Sequence, residues 1–265
     1  FRVFDHSESS GKFHVMSFAP SQGTPIALSQ YAPGKQVWIS GKCYTSGAIY
    51  SPQKGERDKA YAERKIYFEC NVCRYAATDD DLGTRGDRND CPACKSKNAF
   101  GEGMPWLRPV GFAHPYDLKE ETSPDNVPTT SYATRAKLTM AGKDADWRTI
   151  NPQLRALAQR TLLLVSNTGP KGDGYSYCTS CGRIEASAEI PRKVKGGTPH
   201  PKPFPTNTDE AECPGTFVTN GLVLGTKFIT DVALFSMNLR EPIRLRPGWY
   251  STEVTLRTVS EALSK

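Results

Sequence analysis

Apolar and polar positions alternate in short runs along most of the chain. Phe13 and Val15, Pro25 to Leu28, Val37 to Ile39 and Cys43 to Tyr50 read as short strands. Ala32-Pro33-Gly34 and Ser40-Gly41-Lys42 supply turns between them, proline fixing φ and glycine permitting a positive one. Period two returns at Trp106, Val110 and Phe112 within Met104 to Ala113, and again where Phe228, Val232 and Leu234 alternate with Thr230 and Ser236. Ala133 to Met140 and Leu162 to Asn167 give two further strands, the first preceded by a loop from Asp117 to Thr130 that carries Pro124 and Pro128. Helix signals are few. Lys54 to Lys65 is strongly charged and reads as a solvated linker or a short helix. Asn151-Pro152 predicts a helix start, with Leu154, Leu157 and Ala158 on one face, and Thr258 with Glu261 forms a capping box at the end of the chain. The fold class is therefore α+β, mostly β: an irregular multi-strand module with no internal repeat.

What interrupts this pattern is cysteine. Cys70, Cys73, Cys91 and Cys94 stand at C-x2-C-x17-C-x2-C, the spacing of a four-cysteine zinc ribbon in which two knuckles at hairpin tips meet over one ion. A redox pair is the competing reading, but a thioredoxin-type C-x-x-C opens a helix, whereas here Pro92 sits inside the second knuckle. Cys178 and Cys181, followed by Gly182, form a third knuckle. His200 and Cys213 extend it to C-x2-C-x18-H-x12-C, a Cys3His set for a second tetrahedral zinc. A carboxylate or a residue outside the sequence is the alternative fourth ligand. Cys43, alone in an apolar run, reads as a buried free thiol rather than a ligand, and His114 before Pro115 as a turn or core histidine. Two structural zinc ions are expected.

Composition changes this picture little. The 34 Lys and Arg residues against 28 Asp and Glu give a net charge of +6, which many globular surfaces reach. Seven of the eight cysteines fit knuckle or ligand spacing, which suits metal binding in a reducing cytoplasm better than a secreted disulfide framework. The longest apolar run, Leu162 to Val165, is far short of the ~20 residues needed to span a bilayer, so no membrane role is expected. A first residue of Phe1 suggests a segment of a longer protein. The segments divide into a β-rich connecting region at 1–64, the zinc ribbon at 65–104, and a β-rich domain with the Cys3His site and the helix start at 105–265.

Leu162 to Gly182, reading L-L-L-V-S-N-T-G-P-K-G-D-G-Y-S-Y-C-T-S-C-G, resembles the cysteine-rich C-terminal region of MrfA-like DEAD/DEAH-box DNA helicases. His200, Cys213 with Gly215, and L-G-T-K-F-I-T-D-V at Leu224 to Val232 follow in the family's order. That family includes the DrmA and DrmB components of the DISARM anti-phage system. P-I-A-L-S-Q-Y-A-P-G at Pro25 to Gly34 resembles the segment that joins the motor to this region. The resemblance implies a zinc-binding accessory region that binds DNA or guides a strand, with helicase motor domains or subunits of a defence or repair assembly as partners.

Arg192, Lys193, Lys195 and Lys202 form the densest basic stretch without an intervening acid and are the first candidates for phosphate contacts with DNA. Tyr175 or Tyr177, if exposed beside the knuckle, would add base stacking; the competing reading packs both around the metal site. The basic residues of Lys54 to Lys65, and Arg85 and Arg88 in the polar ribbon loop, are weaker candidates because acidic neighbours interrupt them. No catalytic or ATPase motif is present. Gly41-Lys42 lacks phosphate-loop spacing, Asp209 to Glu212 follows a proline-broken loop rather than an apolar strand, and no nucleophile–base set appears. Hydrolysis at zinc would require water in place of one ligand. A zinc-stabilised protein docking module is the alternative function.

Overall fold

The computed structural model describes residues 1–10, 13–53, 55–79, 89–119, 136–137, 145–187, 194–204, 211–240, 243–246 and 249–263. The chain opens with an antiparallel pair, β1 (Val3–Ser10) and β2 (Phe13–Phe18), followed by helix α1 (Thr24–Gln30) and a second hairpin, β3 (Gln36–Ile39) with β4 (Lys42–Thr45). The apolar run at Pro25 to Leu28 is thus helical, not extended. Pro25 sits in the first helical turn, where its missing N–H costs nothing, and Leu28 is buried on the inward face. The run at Cys43 to Tyr50 is broken at Ser46-Gly47, and its second part is β5 (Ala48–Ile49).

Helix α2 (Glu56–Ala62) resolves the charged stretch in favour of helix, and leads into β6 (Lys65–Glu69) and β7 (Ala76–Asp79). The apolar stretch at Met104 to Ala113 supplies two elements, β8 (Met104–Leu107) and β9 (Phe112–Ala113), the latter paired with β5. Of the strand expected at Ala133 to Met140, β10 (Ala136–Lys137) is described, and the rest lies outside the described residues. β11 (Arg148–Asn151) and β12 (Leu154–Asn167) then occupy the place of the expected helix. Asn151-Pro152 turns a hairpin instead of starting a helix. The Asn151 side chain does accept an N–H, but it is that of Gln153 inside the turn, and Leu154 pairs back across to Asn151.

The rest of the chain supplies β13 (Tyr175–Cys178), β14 (Ile184–Ala186), β15 (His200–Pro201), β16 (Glu212–Cys213), β17 (Val218–Met237) and α3 (Tyr250–Leu263). α3 begins eight residues before the expected capping box. Thr258 lies inside it and donates its hydroxyl to the Val254 carbonyl. Mostly β with three short helices, the molecule is held by a nine-stranded sheet among the described residues, ordered β10-β12-β17-β8-β6-β7, with β11, β13 and β14 attached. Its spine is the unbroken antiparallel ladder of β12 and β17, from Leu154 opposite Met237 to Asn167 opposite Leu224. The first residues of β17 pair with β13 instead, so one strand links the spine to the third knuckle. The main core forms there. Tyr175, Tyr177, Ile184, Leu222 and Leu224 are fully buried with Leu28 and Ile49, and Asn167 ties α1 to the sheet by donating to the Leu28 carbonyl at 2.8 Å. Among the described residues no helix is long and apolar enough to cross a membrane.

Candidate metal centres

Three C-x-x-C segments fold into the same backbone turn. Cys70, Cys91 and Cys178 each donate their N–H to the carbonyl five residues on, at 2.7, 3.0 and 2.9 Å, and each accepts at its own carbonyl from the N–H four residues on. That fourth residue carries a positive φ every time: 62° at Arg74, 61° at Lys95 and 86° at Gly182. The first two hold a side chain in a region that costs it about 1–2 kcal/mol. Gly182 cannot do likewise, since a Cβ there would stand 2.7 Å from the Ile49 carbonyl oxygen, and β5 needs that close approach to accept Gly182 as a pairing partner. In the first knuckle the N–H groups of Val72 and Cys73 point at the Cys70 sulfur, each at 3.4 Å. No described helix starts at either ribbon knuckle, so the redox-motif setting is missing.

The first and second knuckles converge. Cys70 and Cys94 sulfurs lie 3.7 Å apart, as do those of Cys73 and Cys91, with Cys70 and Cys91 fully buried. Behind them Phe68, Phe100 and Tyr75 stack at 5.3 and 5.9 Å, joining β6 to the strip that leads out of the second knuckle. β6 pairs with β8, so this cluster hangs directly from the main sheet.

The second cluster needs three separate segments. β13 and the turn after it bring in Cys178 and Cys181, while His200 and Cys213 face each other in the short ladder of β15 and β16. Val194 packs against Cys178 and Cys213, and its N–H is taken by the Glu185 carboxylate at 2.6 Å. On the far side of His200, Phe204 sits in an aromatic cluster with Phe4, Tyr50 and Tyr116, at ring distances of 5.1 to 5.9 Å. The histidine is therefore anchored from both flanks. Its Nδ1 lies 3.2 Å from the Thr198 carbonyl, to which it donates, leaving Nε2 as the lone-pair nitrogen, 3.4 Å from the Cys181 sulfur. Cys178 and Cys213 sulfurs are 3.7 Å apart. The Cys181 thiol donates to the Cys178 sulfur, which pulls Cys178 well below the usual thiol range and pushes Cys181 up. A divalent cation at the centre favours the thiolate at both.

In each cluster every donor atom lies within 4.8 Å of every other, so each could hold a metal ion. The edge lengths say which geometry fits. Four sulfurs at about 2.3 Å from a common centre in a tetrahedron stand about 3.8 Å apart, and a sulfur–nitrogen edge is about 3.5 Å. The observed 3.7 and 3.4 Å match both. A disulfide, at about 2.05 Å, does not. With four protein donors at each centre, no coordination position is left for water or substrate.

Over 96% of its length the chain is similar to the Druantia protein DruE of Escherichia coli (strain UMEA 4076-1), at 26% identity. It spans 14% of that protein. No protein-family profile matches the chain, and no solved structure matches it.

The other sequence candidates separate clearly. Cys43 is buried opposite Trp38 in the β3–β4 hairpin, outside both clusters. His114 is a core histidine: Nδ1 accepts the Thr45 N–H at 3.1 Å, and Nε2 donates to the Leu118 carbonyl at 3.0 Å. Lys195 is exposed beside the second cluster and Lys202 is half-buried, while Arg192 and Lys193, like Arg85 and Arg88, lie outside the described residues. Tyr175 and Tyr177 are both wholly buried, which removes them as a stacking surface. β13 lies between β14 and β17, so both of its edges are paired, and its tyrosines sit in the main core; Tyr175 donates to Asn167 at 2.8 Å and Tyr177 packs against Tyr61.

Two supports of the second cluster carried no sequence signal. Arg57, in α2, donates to the Ser180 carbonyl at 2.7 Å and braces the knuckle from outside. Arg183, which closes the knuckle turn, is 5% exposed and makes a two-pronged ion pair with Asp117.

Proposed function

We propose that the chain is a zinc-stabilised module of a larger anti-phage defence protein, with its surface meeting DNA through phosphate contacts. The tetrahedral edge lengths of the Cys3His cluster carry the metal part of this reading. Thiolate and imidazole donors in tetrahedral array favour zinc over magnesium, calcium or manganese, which take oxygen ligands. Zinc so enclosed supplies folding free energy, on the order of 10–16 kcal/mol of apparent binding in small finger peptides. It cross-links loops that have few apolar contacts of their own.

The similarity to the Druantia protein, an anti-phage defence protein, supports the defence setting. The sequence resemblance to MrfA-like helicases supports a division of labour in which a motor elsewhere in the polypeptide moves along DNA and this module holds or guides a strand. The exposed Lys195, with Arg192, Lys193 and Lys202 along the same stretch, is the proposed phosphate contact beside the second metal.

A second reading, protein docking, is favoured by the outward face of the β12–β17 ladder. Ile229, at 63% exposed, lies directly opposite Leu162, and Phe235 is exposed further along the same face. Salt separates the two readings, since phosphate binding weakens steeply as salt rises and apolar docking does not. The direct test replaces Cys178 and Cys213 with Ser in the whole parent protein and measures phage plating efficiency. Loss of protection with the protein still expressed is expected; full protection by a variant shown to lack the metal contradicts the proposal.

A further inference from the structure

We propose that the cleft between α2, the adjoining ends of β6 and β8 and the middle of β17 seats the phosphate backbone of single-stranded DNA. The inference deepens the DNA-binding reading and rests on it, but places the contact away from both metal clusters.

The cleft has a volume of about 890 Å³ and is lined by five cations against two carboxylates. The sheet explains why the cations gather. β6 and β8 are antiparallel with Lys65 opposite Trp106, so the start of β6 lies beside the end of β8, where Arg108 follows the last strand residue. β17 runs parallel to β8, with Val223 and Leu224 beside Trp106 and Leu107, and reaches Lys227 three residues further on. Three neighbouring strands, spaced about 4.8 Å apart, thus deliver Lys65, Arg108 and Lys227 to one wall of the cleft. Lys59 and Arg64 close the other wall from α2 and the residues just after it.

The two carboxylates leave an excess of three cations along the cleft. Glu56 takes the hydroxyl of Ser51, and Glu63 pairs with Lys59 at 3.9 Å across two largely exposed side chains, a contact that solvent screens. That excess of positive charge complements a polyanion.

The shape and the floor choose the form of the polyanion. A single strand is flexible enough to lay its backbone along the cleft, whereas a duplex backbone keeps to its own helical path. The floor is Trp106, whose indole crosses β17 where Gly225 has no side chain to block it and whose Nε1 donates to Ser166 at 3.1 Å. At 4% exposed it offers no plane for a base. Recognition is then of phosphates, with no sequence preference.

The test uses the 265-residue chain and a fluorescein-labelled oligodeoxynucleotide of roughly 20 nucleotides in mixed sequence, with anisotropy read from roughly 50 to 200 mM salt. Arg108→Glu with Lys227→Glu is expected to weaken binding at least about tenfold and to lower the salt slope by about 1.4, since each phosphate neutralised on a single strand accounts for about 0.7. Circular dichroism checks the fold. Should the double Glu variant not fold, Arg108→Gln with Lys227→Gln gives a smaller loss in the same direction. Unchanged affinity in a folded variant overturns the cleft and leaves the DNA reading standing. No binding by the wild-type chain at low salt overturns both. Equal affinity for the matching duplex, or displacement of the strand by equimolar inorganic triphosphate, overturns the single-strand assignment.

Discussion

His200 and Cys213 face each other in a ladder only two residues long, and this pairing brings a nitrogen and a sulfur from separate loops to the third knuckle. Neither strand could persist alone at that length, so the ladder and the metal centre depend on one another.

His200→Ala is therefore expected to release the metal of the Cys3His centre and leave the four-cysteine centre filled. Cys43→Ala serves as the comparison. It removes one buried sulfur from a hairpin outside both clusters and should cost about 1 kcal/mol of packing with metal content unchanged. Metal analysis of the two variants side by side checks this; loss of metal in the Cys43 variant would contradict the assignment.

Asp117→Ala should cost about 3–5 kcal/mol, because it leaves the buried Arg183 guanidinium without its partner at the close of the knuckle turn. The double replacement Asp117→Ala with Arg183→Met should recover a large part of the loss. Denaturant midpoints of the two variants decide between a specific buried pair and a general loss of packing.

Spacing made the metal clusters legible: four cysteines at C-x2-C-x17-C-x2-C, and the later Cys3His set, are brought to within coordination distance of one another as the residue types suggest. Turn chemistry located the β3–β4 hairpin, where Ser40 and Gly41 both carry positive φ. The spine was not legible. Leu154, Leu157 and Ala158 fit a helix face as well as they fit a strand, and the decision lies with Met237 and its neighbours, a partner strand far along the chain that no local pattern reveals. α1 illustrates the same ambiguity in reverse, since a four-residue run that opens with a proline suits either a buried strand or a first helical turn. The burial of Tyr175 and Tyr177 follows from the core they share with Leu28, Ile49 and Leu222, brought together from distant segments, a property of the tertiary packing and not of the segment. The Arg183–Asp117 pair joins residues 66 positions apart and leaves no spacing signature.

The central claim is that two zinc ions tie this chain together. Elemental analysis of freshly purified, reduced protein tests it most directly. The expected result is two zinc per chain, falling to one in the Cys70→Ala variant as the ribbon opens locally; one metal in the wild-type chain would reject one of the two centres, and none would contradict the account as a whole.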